Sequence, residues 1–204
     1  SRKSKPEDAS DEDEGLTEVR VAVLGETDSS ARMTAVGEGI RLAARLVDTP
    51  PCTLNTTAFV AEAEALAEAL GCGIEVIDGS DLPERGFGGL WGVGKASDHG
   101  PALVILKHEP VGATERVAWV GKGIVYDTGG LSIKGKNGMP GMKADMGGAA
   151  AVIGAFSAAV QLGASQAIYA LLCLAENSVG PASTRPDDVL TLYSGKTVEV
   201  NNTD

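Results

Sequence analysis

Aromatic residues and cysteines are scarce in this chain of 204 residues. Aromatic side chains make up only 4% of it, which is too few for the stacking platforms on which single-stranded nucleic acids bind. The three cysteines are odd in number and lack CxxC spacing, so they predict free thiols in a reducing compartment rather than a disulfide framework. The sequence has no run of about 18 apolar residues, so no segment is predicted to span a membrane.

Basic residues are also outnumbered, with 17 Lys and Arg against 28 Asp and Glu. The resulting net charge of −11 argues against nucleic acids and anionic membrane surfaces as partners. Residues 1–15 are polar and largely charged, which predicts an acidic linker and does not match a secretory signal. Together with the free thiols, these features predict a cytoplasmic protein.

Hydrophobic residues make up 43% of the chain, enough for a sizeable core, and their spacing alternates between helical and strand periods. We therefore expect an α/β fold with a mixed, largely parallel sheet flanked by helices. The glycine-rich residues 86–94 are predicted to form a flexible, closely packed turn. The predicted helices cover residues 31–48, 57–70 and 146–162, and the predicted strands cover residues 19–25, 73–78, 102–108, 116–122, 167–176 and 196–202. The strands at 102–108 and 116–122 are apolar enough to be buried on both faces.

The most informative segment is residues 120–148, VGKGIVYDTGGLSIKGKNGMPGMKADMGG, where lysines and aspartates lie among closely spaced glycines. Glycine lets the backbone approach an ion closely. Carboxylates without a nearby His or Cys favour an oxygen-rich site for Zn²⁺, Mn²⁺ or Mg²⁺. Polar groups beyond strand ends are expected to meet at one edge of the sheet. The residues concerned are Lys122, Asp127, Asp145, Glu176 and Asp204.

Simpler interpretations of the same residues remain open. A single Asp is more often a cap or turn residue, and Lys122 could form a structural salt bridge instead of offering a neutral amine to a metal. Residues 89–96 nearly match a phosphate-binding loop, but Ala96 replaces the hydroxyl that would hold Mg²⁺. His99 and His108 are predicted to be structural or exposed, and Cys173 is expected in the core.

The segment VGKGIVYDTGGLSIKGKNGMPGMKADMGGAAAV, followed by NNTD, closely resembles the leucine aminopeptidase (cytosol aminopeptidase) family of di-metal exopeptidases. Residues 37–59 resemble the entry into that family's catalytic domain, and the resemblance extends over residues 37–204. YDTGGLSIKGK, LAENSVGP and YSGKTVE look most like its "probable aminopeptidase-like" branch. Thr128, where the family usually has Ser, is a mild departure.

The resemblance implies a role for each matching residue. Lys122 would give a neutral amine to the tighter metal, Asp127 would bridge both metals, and Lys134 would polarise the scissile carbonyl. The resemblance also implies two divalent ions, Zn²⁺ or Mn²⁺ with Mg²⁺ as an alternative. The remaining implied roles are tighter-metal binding by Asp145, exchangeable-metal binding by Asp204, first-side-chain recognition by Met142 and substrate contact by Asn202.

In the family, the motif that begins with NTD continues as NTDAEGR, with a Glu that bridges the metals and an Arg that positions bicarbonate. The sequence here stops at Asp204. We therefore expect residues 1–30 to be an acidic linker and short strand that end a mostly absent N-terminal domain. Residues 31–204 are expected to be the first part of a catalytic domain, incomplete at its C-terminal end and inactive by itself.

The function expected from the sequence is a metal-dependent aminopeptidase that acts on peptides with a free N-terminus through a two-metal-activated water. The resemblance implies a cytoplasmic homohexamer, a C-terminal part of the same polypeptide as partner, and bicarbonate in the complete protein. Two alternatives stay open: a catalytically silent scaffold paralogue, and a Cys-Gly-type dipeptidase. The residue two positions beyond Asp204 would discriminate the scaffold from the enzyme.

Overall fold

The computed structural model describes residues 30–204. The strand predicted at residues 19–25 and the acidic segment before it lie outside the described residues. None of the helices between residues 30 and 204 combines the length and apolarity needed to cross a membrane. The helices are α1 (Ser30–Asp48), α2 (Thr56–Leu70), α3 (Asp81–Glu84), α4 (Gly88–Gly94) and α5 (Gly147–Gln161), with a 3-10 helix (Met142–Met146) before α5. The strands are β1 (Gly73–Asp78), β2 (Ala102–His108), β3 (Arg116–Asp127), β4 (Ala167–Asn177), β5 (Val189–Thr191) and β6 (Thr197–Glu199).

The main sheet has four strands in the order β1-β2-β4-β3. β1 pairs antiparallel with β2, β2 pairs antiparallel with β4, and β3 pairs parallel with β4. The mixed sheet flanked by helices is thus confirmed, although the parallel share here is one pair of three rather than the expected majority. The parallel pair matters most, because it carries the candidate site at its carboxyl end.

Helices cover both faces of the sheet. On one face α1, α2 and α5 enclose the larger core, which contains fully buried Phe59, Phe156 and Leu172. On the other face α3 and α4 cover a smaller cluster around Ile77, Leu82 and Leu103. β2 is buried along most of its length, as predicted, because it lies between two other strands and under helices on both faces.

β3 differs from its prediction in length and burial. It runs from Arg116 to Asp127, five residues beyond its predicted end, so Asp127 lies within the strand rather than after it. Its first half is largely exposed, with Val120 65% accessible, and so it is not buried on both faces as predicted. The reason is its place at one edge of the sheet, where α5 covers one face and only part of the other is packed.

The glycine-rich residues 86–94 are not a turn, since Gly88–Gly94 form the short helix α4. The predicted close packing is present: a Cβ at Gly88 would lie 2.3 Å from the Thr191 carbonyl oxygen, and one at Gly94 2.6 Å from Pro101. The segment that resembles a phosphate-binding loop is therefore largely helix, and it does not form the open loop that cradles phosphates.

The last predicted strand, at residues 196–202, is shorter and lies elsewhere. β6 covers only Thr197–Glu199 and pairs with β5 in a separate two-stranded sheet. The predicted strand at 167–176 extends one residue further, so Asn177 rather than Glu176 is its last residue. Asp204 consequently reaches the site from a hairpin and not from the end of a main-sheet strand.

Capping residues mark both ends of α2 (Thr56–Leu70), for which the sequence predicts residues 57–70. The side chain of Asn55 accepts a hydrogen bond from the Ala58 N–H at the start of α2. Gly71 ends that helix in the left-handed conformation, with φ 63°, which favours glycine. The predicted helix at 146–162 is confirmed as α5, although its first turn is preceded by the 3-10 helix that carries Asp145.

Candidate metal centre

A β-bulge in β3 places Lys122 and Asp127 on the same side of the sheet. Side chains alternate along a strand, so residues five apart would ordinarily face opposite sides. The pairing with β4 shifts between Ile124 and Tyr126, where two steps along β3 match one step along β4. With this extra residue, both Lys122 and Asp127 line one cleft of about 590 Å³.

Close approach between β3 and α5 positions the second carboxylate. A Cβ at Gly121 would lie 2.6 Å from the Cα of Ala149, so glycine is what allows the start of α5 to pack against the strand. The 3-10 helix before α5 then holds Asp145 beside β3, with its Oδ2 3.1 Å from the Lys122 Nζ. Lys122 is not buried as the sequence suggested, since its side chain is 62% exposed.

Within the described part of the chain, one oxygen of the Asp145 carboxylate accepts no hydrogen bond, although it lies beside the Lys122 ammonium. This Oδ2 is buried and accepts no hydrogen bond within residues 30–204, and the contact with Lys122 is an ion pair without hydrogen-bond geometry. Buried carboxylate oxygens almost always have a partner, because an unpaired one loses its hydration without compensation. This oxygen is thus available to a cation.

Lys134 joins the two other predicted carboxylates. It lies in the loop after β3, where its backbone N–H donates to the Thr128 carbonyl oxygen at 2.9 Å. Its Nζ donates a hydrogen bond to Asp204 and lies 3.4 Å from the Asp127 Oδ2. The hydrogen bond to Asp204, with a further contribution from the charge of Asp127, raises the pKa of Lys134 above its ordinary value. The amine is therefore an ammonium at neutral pH.

Asn177 and Thr203 tie these segments together. The Asn177 Nδ2 donates to the Asp127 Oδ1 and to the Thr203 carbonyl oxygen, both at 2.8 Å. The Thr203 hydroxyl donates to the Gly129 carbonyl oxygen at 2.7 Å and accepts from the Ser132 N–H at 2.8 Å. The end of β4, the loop after β3 and the segment before Asp204 form one hydrogen-bonded unit.

The predicted substrate residues divide between two places. Asn202 lines the same cleft as Lys122, Asp127 and Asp204, and its Oδ1 accepts from the Asp204 N–H at 2.9 Å. Met142 begins the 3-10 helix and is not among the cleft-lining residues in the described part of the chain. The structure thus brings Asn202 to the cleft and does not bring Met142 into its lining.

The donor chemistry of the cluster fits divalent metal ions. It offers three carboxylates and two amines, and one carboxylate oxygen is buried without a hydrogen bond. Between residues 30 and 204, no three His, Cys, Asp or Glu side chains converge as a ready metal-binding group. The contacts instead form two groups: Lys122 pairs with Asp145, and Lys134 contacts Asp127 and Asp204.

Glu176, by contrast, is not brought to this cluster. It pairs with Tyr126 across the two strands, and both line a separate cavity of about 540 Å³. Its Oε2 accepts a hydrogen bond from the Ser97 hydroxyl at 2.6 Å. The expectation that every polar strand end meets at one site is therefore wrong for Glu176, because its neighbour Asn177 takes the face toward Asp127.

The histidines have structural surroundings, as predicted, and Cys173 packs against the core only in part. His99 is exposed and its ring nitrogens face the Asn55 and Thr57 side chains, while the His108 Nε2 lies 2.9 Å from the Ala164 carbonyl oxygen. Cys173 packs against the smaller core cluster, where burial raises the pKa of its thiol. Cys173 is only partly buried, however, and it also lines the cleft that contains Lys122 and Asp127, so it lies at the edge of the core rather than within it.

Sequence reasoning missed Asn177 and Thr203 as parts of the site. Asn177 is 8% exposed at the end of an apolar strand, and a buried amide there needs partners. The cost of burying this amide was the one sequence signal that pointed to Asn177, but its partners Asp127 and Thr203 lie 50 and 26 positions away along the chain. Only the fold brings them into contact.

The family model described as "Cytosol aminopeptidase family, catalytic domain" matches residues 41–204. The "Probable aminopeptidase NPEPL1" of Homo sapiens is 61% identical over 167 residues, which is 82% of this chain and 32% of that protein. The chain spans about a third of the length of the curated relatives it matches.

Solved structures of related proteins have the same fold. The leucine aminopeptidase (LAP1) of Caenorhabditis elegans superposes with a TM-score of 0.84 at 52% identity, covering 86% of this chain and 36% of that one. The "Bottromycin maturation enzyme BotP in complex with Mn" gives 0.79 at 38% identity, covering 85% of this chain and 38% of that one.

Proposed function

The chain belongs to the cytosol aminopeptidase family, and we propose that the polypeptide carrying it is a metal-dependent aminopeptidase that releases N-terminal amino acids from peptides. One observation carries the proposal: the ion pair of Lys122 with Asp145 and the contacts of Lys134 with Asp127 and Asp204 cluster around the end of β3. The relatives named as aminopeptidases support it. Because the chain spans only about a third of their length, we propose that residues 31–204 are one part of a larger catalytic domain.

Lys122, Asp127, Asp145 and Asp204 are the residues that would hold two divalent ions. When bound, such ions supply a nucleophilic water at neutral pH and stabilise negative charge on a carbonyl oxygen. Asp145 offers the Oδ2 that accepts no hydrogen bond within residues 30–204, and Lys122, now its ion-pair partner, would bind as a neutral amine after losing its proton. Mn²⁺ or Zn²⁺ suits this oxygen-rich set with amines, and the similar bottromycin maturation enzyme is a complex with Mn.

Lys134 and the cleft would handle the substrate. A lysine is ordinarily cationic at neutral pH, so Lys134 can stabilise negative charge that develops on the scissile carbonyl in the transition state. Asn202 lines the cleft and can contact the peptide backbone, while Met142 would contact the first side chain from the rim. The acidic cluster would attract the free α-amino group of a peptide, which accounts for a preference for unblocked N-termini.

Further parts of the proposal follow from the family. We propose a cytoplasmic protein that assembles as a homohexamer and uses bicarbonate near the site. The location is proposed because the family that this chain matches is the cytosol aminopeptidase family. Native mass spectrometry of the complete polypeptide tests the hexamer directly.

The activity is tested with the complete polypeptide that carries this chain. We expect hydrolysis of an aminoacyl p-nitroanilide but not of its N-acetylated analogue, loss of activity on dialysis against a chelator, and recovery with Mn²⁺ or Zn²⁺. Asp127→Asn should abolish activity and lower the bound metal. Asp78→Asn is the matched control, because that exposed Asp at the end of β1 lies outside the cluster.

Three results would count against a metal-dependent aminopeptidase. Full activity after complete metal removal would exclude metal-dependent catalysis. Binding of two metal ions per subunit without hydrolysis of any free-N-terminal peptide would favour the silent scaffold, and hydrolysis confined to Cys-Gly would favour the dipeptidase.

A further inference from the structure

Asn177 lies at the last position of β4, directly beside Asp127 at the end of β3. Both residues are buried, at 8% and 7% exposure, so the carboxylate and the amide meet away from most solvent. The Asn177 Nδ2 faces a carboxylate oxygen and a carbonyl oxygen, and both of these groups only accept hydrogen bonds. The amide orientation is therefore fixed by chemistry, and both of its N–H groups are used.

The hydrogen bonds divide the two oxygens of Asp127. Oδ1 accepts from the Asn177 Nδ2 at 2.8 Å and from the Gly129 N–H at 2.9 Å. Oδ2 accepts from neither of these donors and lies 3.4 Å from the ammonium group of Lys134. The surrounding protein thus holds one oxygen and presents the other toward a cation.

The second N–H of the amide acts on the segment before Asp204. It donates to the carbonyl oxygen of Thr203, whose hydroxyl is itself held between the Ser132 N–H and the Gly129 carbonyl oxygen. The Thr203 N–H also donates to the Ser132 hydroxyl at 3.1 Å. The Asn177 side chain therefore connects Thr203, the residue before Asp204, to the carboxylate of Asp127.

We propose that Asn177 is a positioning residue of the metal centre. Its amide orients the Asp127 carboxylate and, through Thr203, fixes where Asp204 stands relative to it. This inference rests on the proposed function, since it concerns the same site. Groups that orient ligands in this way typically change metal affinity about 10–100-fold when they are removed.

The test measures Mn²⁺ affinity by calorimetry on the metal-stripped complete polypeptide, together with the thermal midpoint of the same sample. Asn177→Ala should weaken Mn²⁺ binding about 10–100-fold. Asn55→Ala is the control, because it removes the α2 cap and should lower the midpoint while leaving Mn²⁺ affinity within about twofold of the unaltered protein.

A second pair of variants keeps the test decisive if Asn177→Ala does not fold. Thr203→Val removes the hydroxyl that Ser132 and Gly129 bind, and should weaken Mn²⁺ binding. Thr203→Ser keeps that hydroxyl and should restore the affinity. Equal Mn²⁺ affinities for Thr203→Val and Thr203→Ser would overturn the proposal.

The outcomes also separate this inference from the proposed function. If Asn177→Ala lowers the thermal midpoint as Asn55→Ala does but binds Mn²⁺ as tightly as the unaltered protein, the role of Asn177 is structural only. If the unaltered protein binds no Mn²⁺, Zn²⁺ or Mg²⁺, the metal centre itself is wrong and the positioning role falls with it.

Discussion

Replacing Gly121 with alanine should damage the fold and the metal centre together. The added Cβ would lie 2.6 Å from the Cα of Ala149 and 2.7 Å from the carbonyl oxygen of Gly148, both in the first turn of α5. These are backbone atoms, so no side-chain rotation relieves the overlap. Reaching an ordinary contact of 3.4 Å from 2.6 Å requires α5 and β3 to separate by about 0.8 Å.

Overpacking of this kind costs about 1–3 kcal/mol of unfolding free energy. The same displacement moves the 3-10 helix that bears Asp145 away from the strand that bears Lys122, so the affinity for divalent metal should also fall. A site displaced by about 1 Å can lose about 10²-fold in rate.

The assay compares urea unfolding and Mn²⁺ calorimetry for Gly121→Ala and Gly37→Ala in the complete polypeptide. At Gly37, inside α1, an added Cβ meets nothing within 4 Å, so alanine should stabilise the protein by about 0.5–1 kcal/mol through helix propensity. If Gly121→Ala were as stable as the unaltered protein and bound Mn²⁺ equally well, the close packing of β3 on α5 would not position the site.

Two further predictions concern single charged groups. The Lys134→Ala variant should keep its bound metal but lose about 10²–10³-fold in kcat, because Lys134 is proposed to stabilise transition-state charge. Metal analysis together with steady-state kinetics tests this prediction. An unchanged kcat with loss of bound metal would make Lys134 a metal ligand instead. The bidentate hydrogen bond from Arg45, which joins α1 to α2, lowers the pKa of Glu62. The ion pair of Arg45 and Glu62 should therefore stabilise the fold fully above the Glu pKa of the unfolded chain, and this stabilisation should be lost as pH falls through the lower folded pKa. Because both side chains are partly exposed, we expect it to contribute about 0.2–1 kcal/mol to the free energy of unfolding. Glu62→Gln should therefore lose less stability on the acid side, and identical curves of unfolding free energy against pH for the variant and the unaltered protein would contradict the pKa shift.

Local chemistry explains why parts of the fold could be predicted. The ends of α2 carry their own signals, an Asn cap and a left-handed Gly, and the continuous apolar run of β2 specifies a buried strand. The extension of β3 could not be read in the same way. Gly121 and Gly123 resemble the start of a turn, whereas in the fold they are the residues that let α5 approach the strand.

The candidate site was only partly predictable for a similar reason. The residue types around Asp127 indicated metal chemistry, but the bulge that turns Asp127 to the side of Lys122 depends on pairing with β4 and leaves no pattern in β3 alone. The hydrogen bond from the Asn177 side chain to the Thr203 carbonyl oxygen joins positions far apart in the chain. Sequence spacing gives no information about such contacts until the topology is known.

The most direct test of the metal centre is anomalous diffraction from crystals of the complete polypeptide grown with Mn²⁺. We expect two anomalous peaks per subunit, about 3.5–4 Å apart, within ligand distance of the Asp127 and Asp145 carboxylates and the Lys122 amine. Asp127 should contact both ions and Asp204 one of them. Peaks located elsewhere, or bound Mn²⁺ with Asp127 contacting neither ion, would contradict the assignment of this cluster as the metal centre.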